Sequence, residues 1–228
     1  MSAIKAVLFD LDGTLVDTAP DLGAAANHVR ETLGLAPLPL ADYRPVASAG
    51  ARGLLHKALG ITPEHADFAQ HRERFLAYYR AHIAERSRLF DGVDAVLERC
   101  THAGMRWGVV TNKPGWLTRP LLEALDLAGG AACAVSADEV ARPKPAPDSL
   151  LRACTLLGLP PQACVYVGDD RRDIVAGAAA GMPTIAAAWG YLGEAEPIDR
   201  WGADAVVDTP EALTARLFDA GLHPPTRP

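Results

Sequence analysis

The nine residues Val7-Leu8-Phe9-Asp10-Leu11-Asp12-Gly13-Thr14-Leu15 constrain the fold of this chain more than any other stretch. An apolar run of strand character ends in two aspartates one residue apart, and a Gly-Thr turn follows at once. Side chains alternate across a strand, so Asp10 and Asp12 point the same way unless the chain bends between them. Two bare carboxylates that close repel each other, and they persist at neutral pH only beside a cation or with a shared proton. The pair therefore predicts a Mg2+ site or a nucleophile and acid, at the strand end where an open α/β sheet places its ligands. Asp-Gly also serves as plain turn chemistry after a strand, so the reading depends on what lies downstream.

Downstream, the periodicity changes twice. Leu22, Ala26, Val29 and Leu33 predict a helix over 20–34, stopped by Gly34, and Leu54, Leu55, Ala58 and Leu59 predict a short one ending at Gly60. Phe68, Phe75, Tyr79 and Ile83 form one stripe of a helix over 63–86, with Thr62-Pro63-Glu64 as its start signal. From about residue 90 strands and helices alternate. Strands are predicted at 107–111, 132–136, 163–168, 183–188 and 204–207, with helices at 91–103, 115–126, 147–157 and 171–180 between them. Such alternation indicates a parallel sheet covered by helices on both faces. The first strand belongs to that sheet, so residues 17–88 read as a helical insertion into a core built from 1–16 and 89–228. The proline-containing tail 223–228 is expected to fray.

The net charge of −6 over 228 residues argues against nucleic acid or an anionic membrane as the main partner. No apolar run approaches the length of a membrane-spanning helix, and Met1-Ser2-Ala3-Ile4-Lys5 leads straight into a strand, so a cytoplasmic protein is expected. Cys100, Cys133, Cys154 and Cys164 form no C-x-x-C pair and lie in apolar or helical contexts, which predicts buried free thiols. The histidines His28, His56, His65, His71 and His82 fall on predicted helices and read as surface or interhelical residues.

Three further segments end at the same strand edge as Asp10. In Val109-Val110-Thr111-Asn112-Lys113-Pro114 a hydroxyl and an amide offer neutral donors suited to phosphate oxygens. In Arg142-Pro143-Lys144-Pro145-Ala146-Pro147 a lysine between prolines is held in a low-entropy extended segment, where its ammonium can offset carboxylates and a phosphoryl group. In Val165-Tyr166-Val167-Gly168-Asp169-Asp170-Arg171-Arg172-Asp173 a second apolar strand ends in acids. Asp170 or Asp173 suits a helix cap, but Asp169 at the strand end itself would complete a hard-cation site. Together these groups equip the chain for phosphoryl transfer through an aspartyl-phosphate.

In the order D-L-D-G-T, T-N, K-P and G-D-D-x-x-D, residues 4–190 resemble the haloacid dehalogenase (HAD) superfamily of phosphohydrolases. The resemblance implies an α/β, Rossmann-like core with a parallel sheet and an inserted α-helical cap domain. It implies that Asp10 is the nucleophile, and that Asp12 protonates the leaving alkoxide and then deprotonates the attacking water. Mg2+ would be held by the Asp10 side chain, the Asp12 carbonyl and Asp169. Thr111 and Lys144 would hold the phosphoryl group, with Asn112 as a supporting donor and Asp173 orienting water or Lys144. Asp170 stands where many relatives have a small residue, and its role is open.

By the same resemblance the helical insertion is a cap hinged near Asp17 and Thr18, which closes over the site and supplies substrate contacts. Ala47-Ser48-Ala49-Gly50-Ala51-Arg52-Gly53 is its most suspicious segment, with Arg52 able to fork onto a substrate carboxylate or to stand exposed at a helix start. D-T-A-P-D, A-G-A-R, L-F-D-G, W-G-V-V-T-N-K-P, G-D-D-R-R-D-I and W-G-A-D-A-V-V-D are similar to bacterial phosphoglycolate phosphatases and, more closely, N-acetylmuramic acid 6-phosphate phosphatases. The implied partner is a small phosphorylated metabolite bearing a carboxylate, acted on by a monomer or homodimer. A phosphomutase of the β-phosphoglucomutase type shares both aspartates, and a phospho-accepting receiver module shares the acid, Thr and Lys chemistry but is shorter and lacks a cap. A dehalogenase of the same fold would not need Asp12.

Overall fold

The computed structural model describes residues 4–193 and 196–219, so the expected fraying of 223–228 lies outside the described residues. Six strands form one parallel sheet in the order β5 (Ala134–Val135), β4 (Arg106–Val110), β1 (Ala6–Phe9), β6 (Cys164–Gly168), β7 (Thr184–Ala187), β8 (Ala205–Val207). β1 lies in the middle, so successive strands are added outward on either side of it. The carboxyl ends of β1, β4 and β6 therefore meet at the point where strand order reverses, the usual ligand crevice of an open α/β sheet.

Alternation along the central strands divides the core into two layers. Val7, Phe9, Val109, Val165 and Val167 pack on one face with α5 (Val93–His102), α6 (Gly115–Ala124) and α9 (Pro210–Phe218). Ala6, Leu8, Val110, Cys164 and Tyr166 pack on the other with α7 (Asp148–Leu157) and α8 (Arg171–Ala180). Strands buried on both faces read as continuous apolar runs, as these do. All four cysteines are buried and unbridged.

Between β1 and α5 the chain leaves the sheet. β2 (Val16–Asp17) and β3 (Arg88–Leu89) pair antiparallel, and the helical segment runs between them as α1 (Ala19–Thr32), α2 (Leu40–Tyr43), α3 (Gly50–Leu59) and α4 (Phe68–Ala81). These helices bury their own apolar cluster around Leu22, Val29, Tyr43, Leu55 and Phe75, which Leu117 and Tyr191 join from the sheet side. The return of the segment is tied to its start by Asp21. Its buried carboxylate accepts hydrogen bonds from the Arg86 and Ser87 amides at 2.8 to 3.1 Å and from the Ser87 hydroxyl at 2.7 Å.

Four expectations are corrected. The helix expected over 63–86 spans only Phe68–Ala81, because Thr62, His65 and Asp67 spend their polar groups on local turns: the His65 amide donates to the Thr62 carbonyl, and the Asp67 amide to His65 Nδ1. His65 therefore lies off any helix, and His82 sits just past the end of α4. The helix expected from Asp91 starts at Val93, because Gly92 takes a left-handed turn at φ 85°. The helix α2 and the β2–β3 pair are too short to carry a period, whereas α9 went unread although Thr209-Pro210-Glu211 marks its start and Leu213 and Leu217 stand at helical spacing.

Candidate active site

Four loops deliver the site. The chain bends immediately after β1, so Asp10 and Asp12 diverge instead of sharing a strand face. Asp10 turns back: its Oδ1 accepts the Leu11 amide at 2.8 Å and lies 2.8 Å from Lys144 Nζ. Asp12 faces the helical segment, where its Oδ1 accepts the Thr18 hydroxyl at 2.6 Å and both its oxygens take Lys113 Nζ, at 2.9 and 3.2 Å.

Lys144 is almost wholly buried, its ammonium ringed by Asp10, by Asp173 Oδ1 at 2.7 Å, by the Tyr166 hydroxyl at 2.8 Å and by the Val110 carbonyl at 3.1 Å. Burial alone would favour the neutral amine, but Asp10 and Asp173 outweigh it and raise Lys144 above its ordinary range. Asn112 braces this lysine from the end of β4. Its Nδ2 donates to the Lys144 carbonyl at 2.8 Å and its Oδ1 accepts the Lys144 amide at 3.0 Å. The Asn112 amide is thus engaged by backbone rather than turned to a ligand. Thr111 is buried beside it, lines the cavity over Asp10 and Lys144, and accepts the Lys113 amide on its hydroxyl at 3.1 Å.

Asp169 follows β6 and is fully buried. Its Oδ1 accepts the Thr14 hydroxyl at 2.7 Å, and its Oδ2 accepts the Tyr191 amide at 2.9 Å and the Ser48 hydroxyl at 3.4 Å. Two glycines make room for it. A Cβ on Gly13, whose φ is 92°, would overlap the Asp169 carboxylate, and one on Gly190 would overlap Asp169 Cβ and the Gly13 carbonyl. Asp173 stands in the first turn of α8, where its Oδ2 accepts the Asp170 amide at 3.1 Å and completes a capping box with Asp170.

Oxygen atoms of Asp10, Asp169 and Asp173 lie within 4.8 Å of one another, all three residues being buried. One ammonium serves this group directly, so negative charge is in excess. Burial, partly opposed by Lys144, pushes Asp10 up to about 7, and burial together with the charges of Asp10 and Asp173 raises Asp169 well above the carboxylate range. Hard oxygen donors converging with surplus charge fit a small divalent cation. Asp12 contributes no carboxylate oxygen to this group, because its side chain is spent on Lys113 and Thr18.

A cavity of about 440 Å3 opens over these groups, with Leu22, Phe75, Leu76 and Leu117 as apolar wall and Arg52 and Arg72 brought in by the helical segment. Arg52 is exposed at this wall and does not approach the aspartates through any hydrogen bond among the described residues. Sequence reasoning missed three partners. Lys113 stood inside the T-N-K-P motif without a role, Thr14 inside the first run, and Tyr191 in a segment with no motif. Lys113 Nζ also lies 4.7 Å from the centre of the Tyr79 ring on α4, whose buried hydroxyl has no hydrogen-bond partner among the described residues.

Residues 7–187 match the family model described as Haloacid dehalogenase-like hydrolase. The chain belongs to this family. It is 41% identical over 210 residues to an N-acetylmuramic acid 6-phosphate phosphatase of Pseudomonas aeruginosa, covering 92% of this chain and 93% of the relative. It is 44% identical over 213 residues to a phosphoglycolate phosphatase of Xanthomonas campestris pv. campestris, covering 92% and 94%. The fold superposes on the crystal structure of a predicted phosphoglycolate phosphatase from Haemophilus somnus with TM-score 0.82 at 27% identity, covering 93% of this chain and 97% of that one. The haloacid dehalogenase-like chain is thus a phosphoric monoester hydrolase with an α/β, Rossmann-like core. None of its helices is long and apolar enough to cross a membrane among the described residues.

Proposed function

We propose that this chain hydrolyses a small, carboxylated phosphate monoester in a Mg2+-dependent reaction, through a covalent phosphate on Asp10. The observation that carries the proposal is the buried convergence of Asp10, Asp169 and Asp173, with Asp10 and Asp173 both paired to Lys144. Held by the Asp10 and Asp169 carboxylates and the Asp12 carbonyl, with Asp173 beside them, Mg2+ would neutralise the phosphoryl oxygens and keep Asp10 ionised.

In the first half-reaction an Asp10 oxygen bonds to phosphorus as the ester P–O bond breaks, and Asp12 gives its proton to the departing alkoxide. In the second, Asp12 takes a proton from water, whose oxygen attacks phosphorus and releases Asp10 as a carboxylate with inorganic phosphate. Lys144 and the Thr111 hydroxyl hold the transferring group, and Asn112 and Asp173 fix Lys144 in place. The helical segment acts as a cap: it supplies Arg52 and the apolar wall and excludes water during transfer.

Among carboxylated substrates, a cavity of about 440 Å3 with an apolar wall favours N-acetylmuramic acid 6-phosphate over the two-carbon 2-phosphoglycolate. The deciding experiment is phosphate release with Mg2+ from both compounds and from common sugar phosphates. Asp10→Asn is expected to reduce turnover at least about a thousandfold with the fold intact by circular dichroism. Retained turnover would remove Asp10 as nucleophile.

A further inference from the structure

Asp170 occupies the position left without a role, and its neighbour Arg172 accounts for it. Asp170 starts α8 in extended backbone, and its Oδ1 accepts the Arg172 amide at 2.8 Å, which is ordinary helix capping. The same carboxylate also grips the Arg172 side chain. Nε donates to Oδ1 at 2.9 Å and Nη2 to Oδ2 at 2.7 Å, a two-point fork that fixes the guanidinium plane. Nη2 spends its second proton on the Ser48 carbonyl at 2.9 Å, across the boundary with the helical segment. Nη1 carries no hydrogen bond among the described residues.

The fixed guanidinium lines the same cavity as Asp10, Thr111 and Lys144. It reaches the segment that continues through Ala49 and Gly50 to Arg52, so Arg172 from the sheet side and Arg52 from the helical side border the same cavity. The phosphoryl end already has Lys144 and Thr111.

We infer that Arg172 is a specificity-determining residue that binds the substrate's second anionic group through Nη1, with Asp170 as the residue that positions it. This rests on the phosphatase reading above and adds to it the group that reads the carboxylate from the sheet side. Arg52 then meets the same carboxylate only when the helical segment is seated, since the Ser48 carbonyl shares the Arg172 guanidinium. Asp170 does two separable things here. A serine in its place can still cap α8, but it cannot grip a guanidinium at two points.

The test compares matched substrates that differ in the carboxylate: N-acetylmuramic acid 6-phosphate against N-acetylglucosamine 6-phosphate, and 2-phosphoglycolate against ethylene glycol phosphate. For Arg172→Ala the ratio of KM values, carboxylated over neutral, is expected to rise about thirtyfold, the loss of one charge-assisted hydrogen-bonding group. Asp170→Ser should raise the same ratio about fivefold with the melting temperature little changed, and Arg172→Lys should recover only part of the discrimination. A ratio unchanged in Arg172→Ala, or a rise in KM equal for both members of each pair, overturns the assignment while leaving phosphatase activity standing. If the wild-type protein releases no phosphate even from p-nitrophenyl phosphate, the phosphatase reading falls and takes this one with it.

Discussion

Lys113 reaches both carboxylate oxygens of Asp12, at 2.9 and 3.2 Å, from the far side of the strand-end crevice. The ammonium is almost buried and Asp12 is mostly so, with side-chain exposures of 6% and 15%. Burial opposes the charged lysine, but Asp12 outweighs it and raises Lys113 above its ordinary range. On the proposed mechanism this pair aims the proton-carrying carboxylate, and the Tyr79 ring from α4 closes over the ammonium that holds it.

Removing the ammonium should therefore cost both stability and turnover. Lys113→Met leaves Asp12 only the Thr18 hydroxyl, a loss of about 3 kcal/mol for a broken, largely buried pair. That corresponds to a fall in melting temperature of roughly 6–12 °C. Turnover of alkyl phosphates should drop more than that of p-nitrophenyl phosphate, whose leaving group needs no proton. Calorimetry and paired kinetics check this, and equal losses on both substrates would argue that Asp12 is not aimed by Lys113.

Mg2+ stabilisation should depend on pH in a fixed direction. Asp10 titrates near 7 in the metal-free fold against about 4 unfolded, so the fold holds a proton through that window that the unfolded chain releases. Its contribution to metal-free stability is most favourable below pH 4 and declines as pH climbs towards 7. A divalent cation substitutes for the proton, so it gains most where Asp10 is ionised. At tenfold excess over its dissociation constant Mg2+ should raise the melting temperature by about 3 °C at pH 8 and by much less at pH 5. An equal rise at both values in thermal unfolding would count against the aspartate cluster as the binding site.

Gly190 probes the same cluster sterically. Gly190→Ala forces a methyl into Asp169 Cβ and the Gly13 carbonyl, where backbone must move. An overpacking cost of about 1–3 kcal/mol is expected, with phosphate release falling at least about tenfold as Asp169 is displaced. Mg2+ titration by calorimetry should show weakened binding, and wild-type affinity would mean that Asp169 is not a ligand.

Asp21→Ala should loosen the helical segment locally. It strands the buried Ser87 amide and the Arg86 amide, a cost of about 3 kcal/mol for lost charge-assisted bonds. Hydrogen exchange should accelerate around residues 84–88 while amides of β1 and β6 keep their protection. Uniform acceleration throughout would show that segment and sheet unfold as one unit.

What sequence exposes and what it hides divide along a physical line. β1, β6 and α8 were legible because burial on both faces writes continuous apolar runs, and because Asp170 marks a helix start. The meeting of Asp10 and Asp169 followed from strand ends alone, but Asp173, read as a helix cap or by resemblance as orienting water or Lys144, joins them from the first turn of α8. The bend after Phe9 was not legible, so Asp12's turn towards Lys113 and Thr18 stayed hidden, although each residue lay inside a quoted motif. Asn112 shows the converse: its chemistry suits phosphate, but only the fold reveals that Lys144's backbone takes both ends of its amide. Pairings between distant loops are set by tertiary approach, which leaves no local period to read.

The two-residue pairing of Val16–Asp17 with Arg88–Leu89 sets the exit and the return of the helical segment side by side. From the sheet's standpoint the whole insert is a loop already closed at its neck, and the entropy of closing a loop grows only slowly with its length. The insert's size and lining can then vary almost without penalty to the layer that carries Asp10 and Asp169. The neck works as a socket: a different helical module plugged into it would change which molecules are admitted while inheriting the same phosphoryl chemistry.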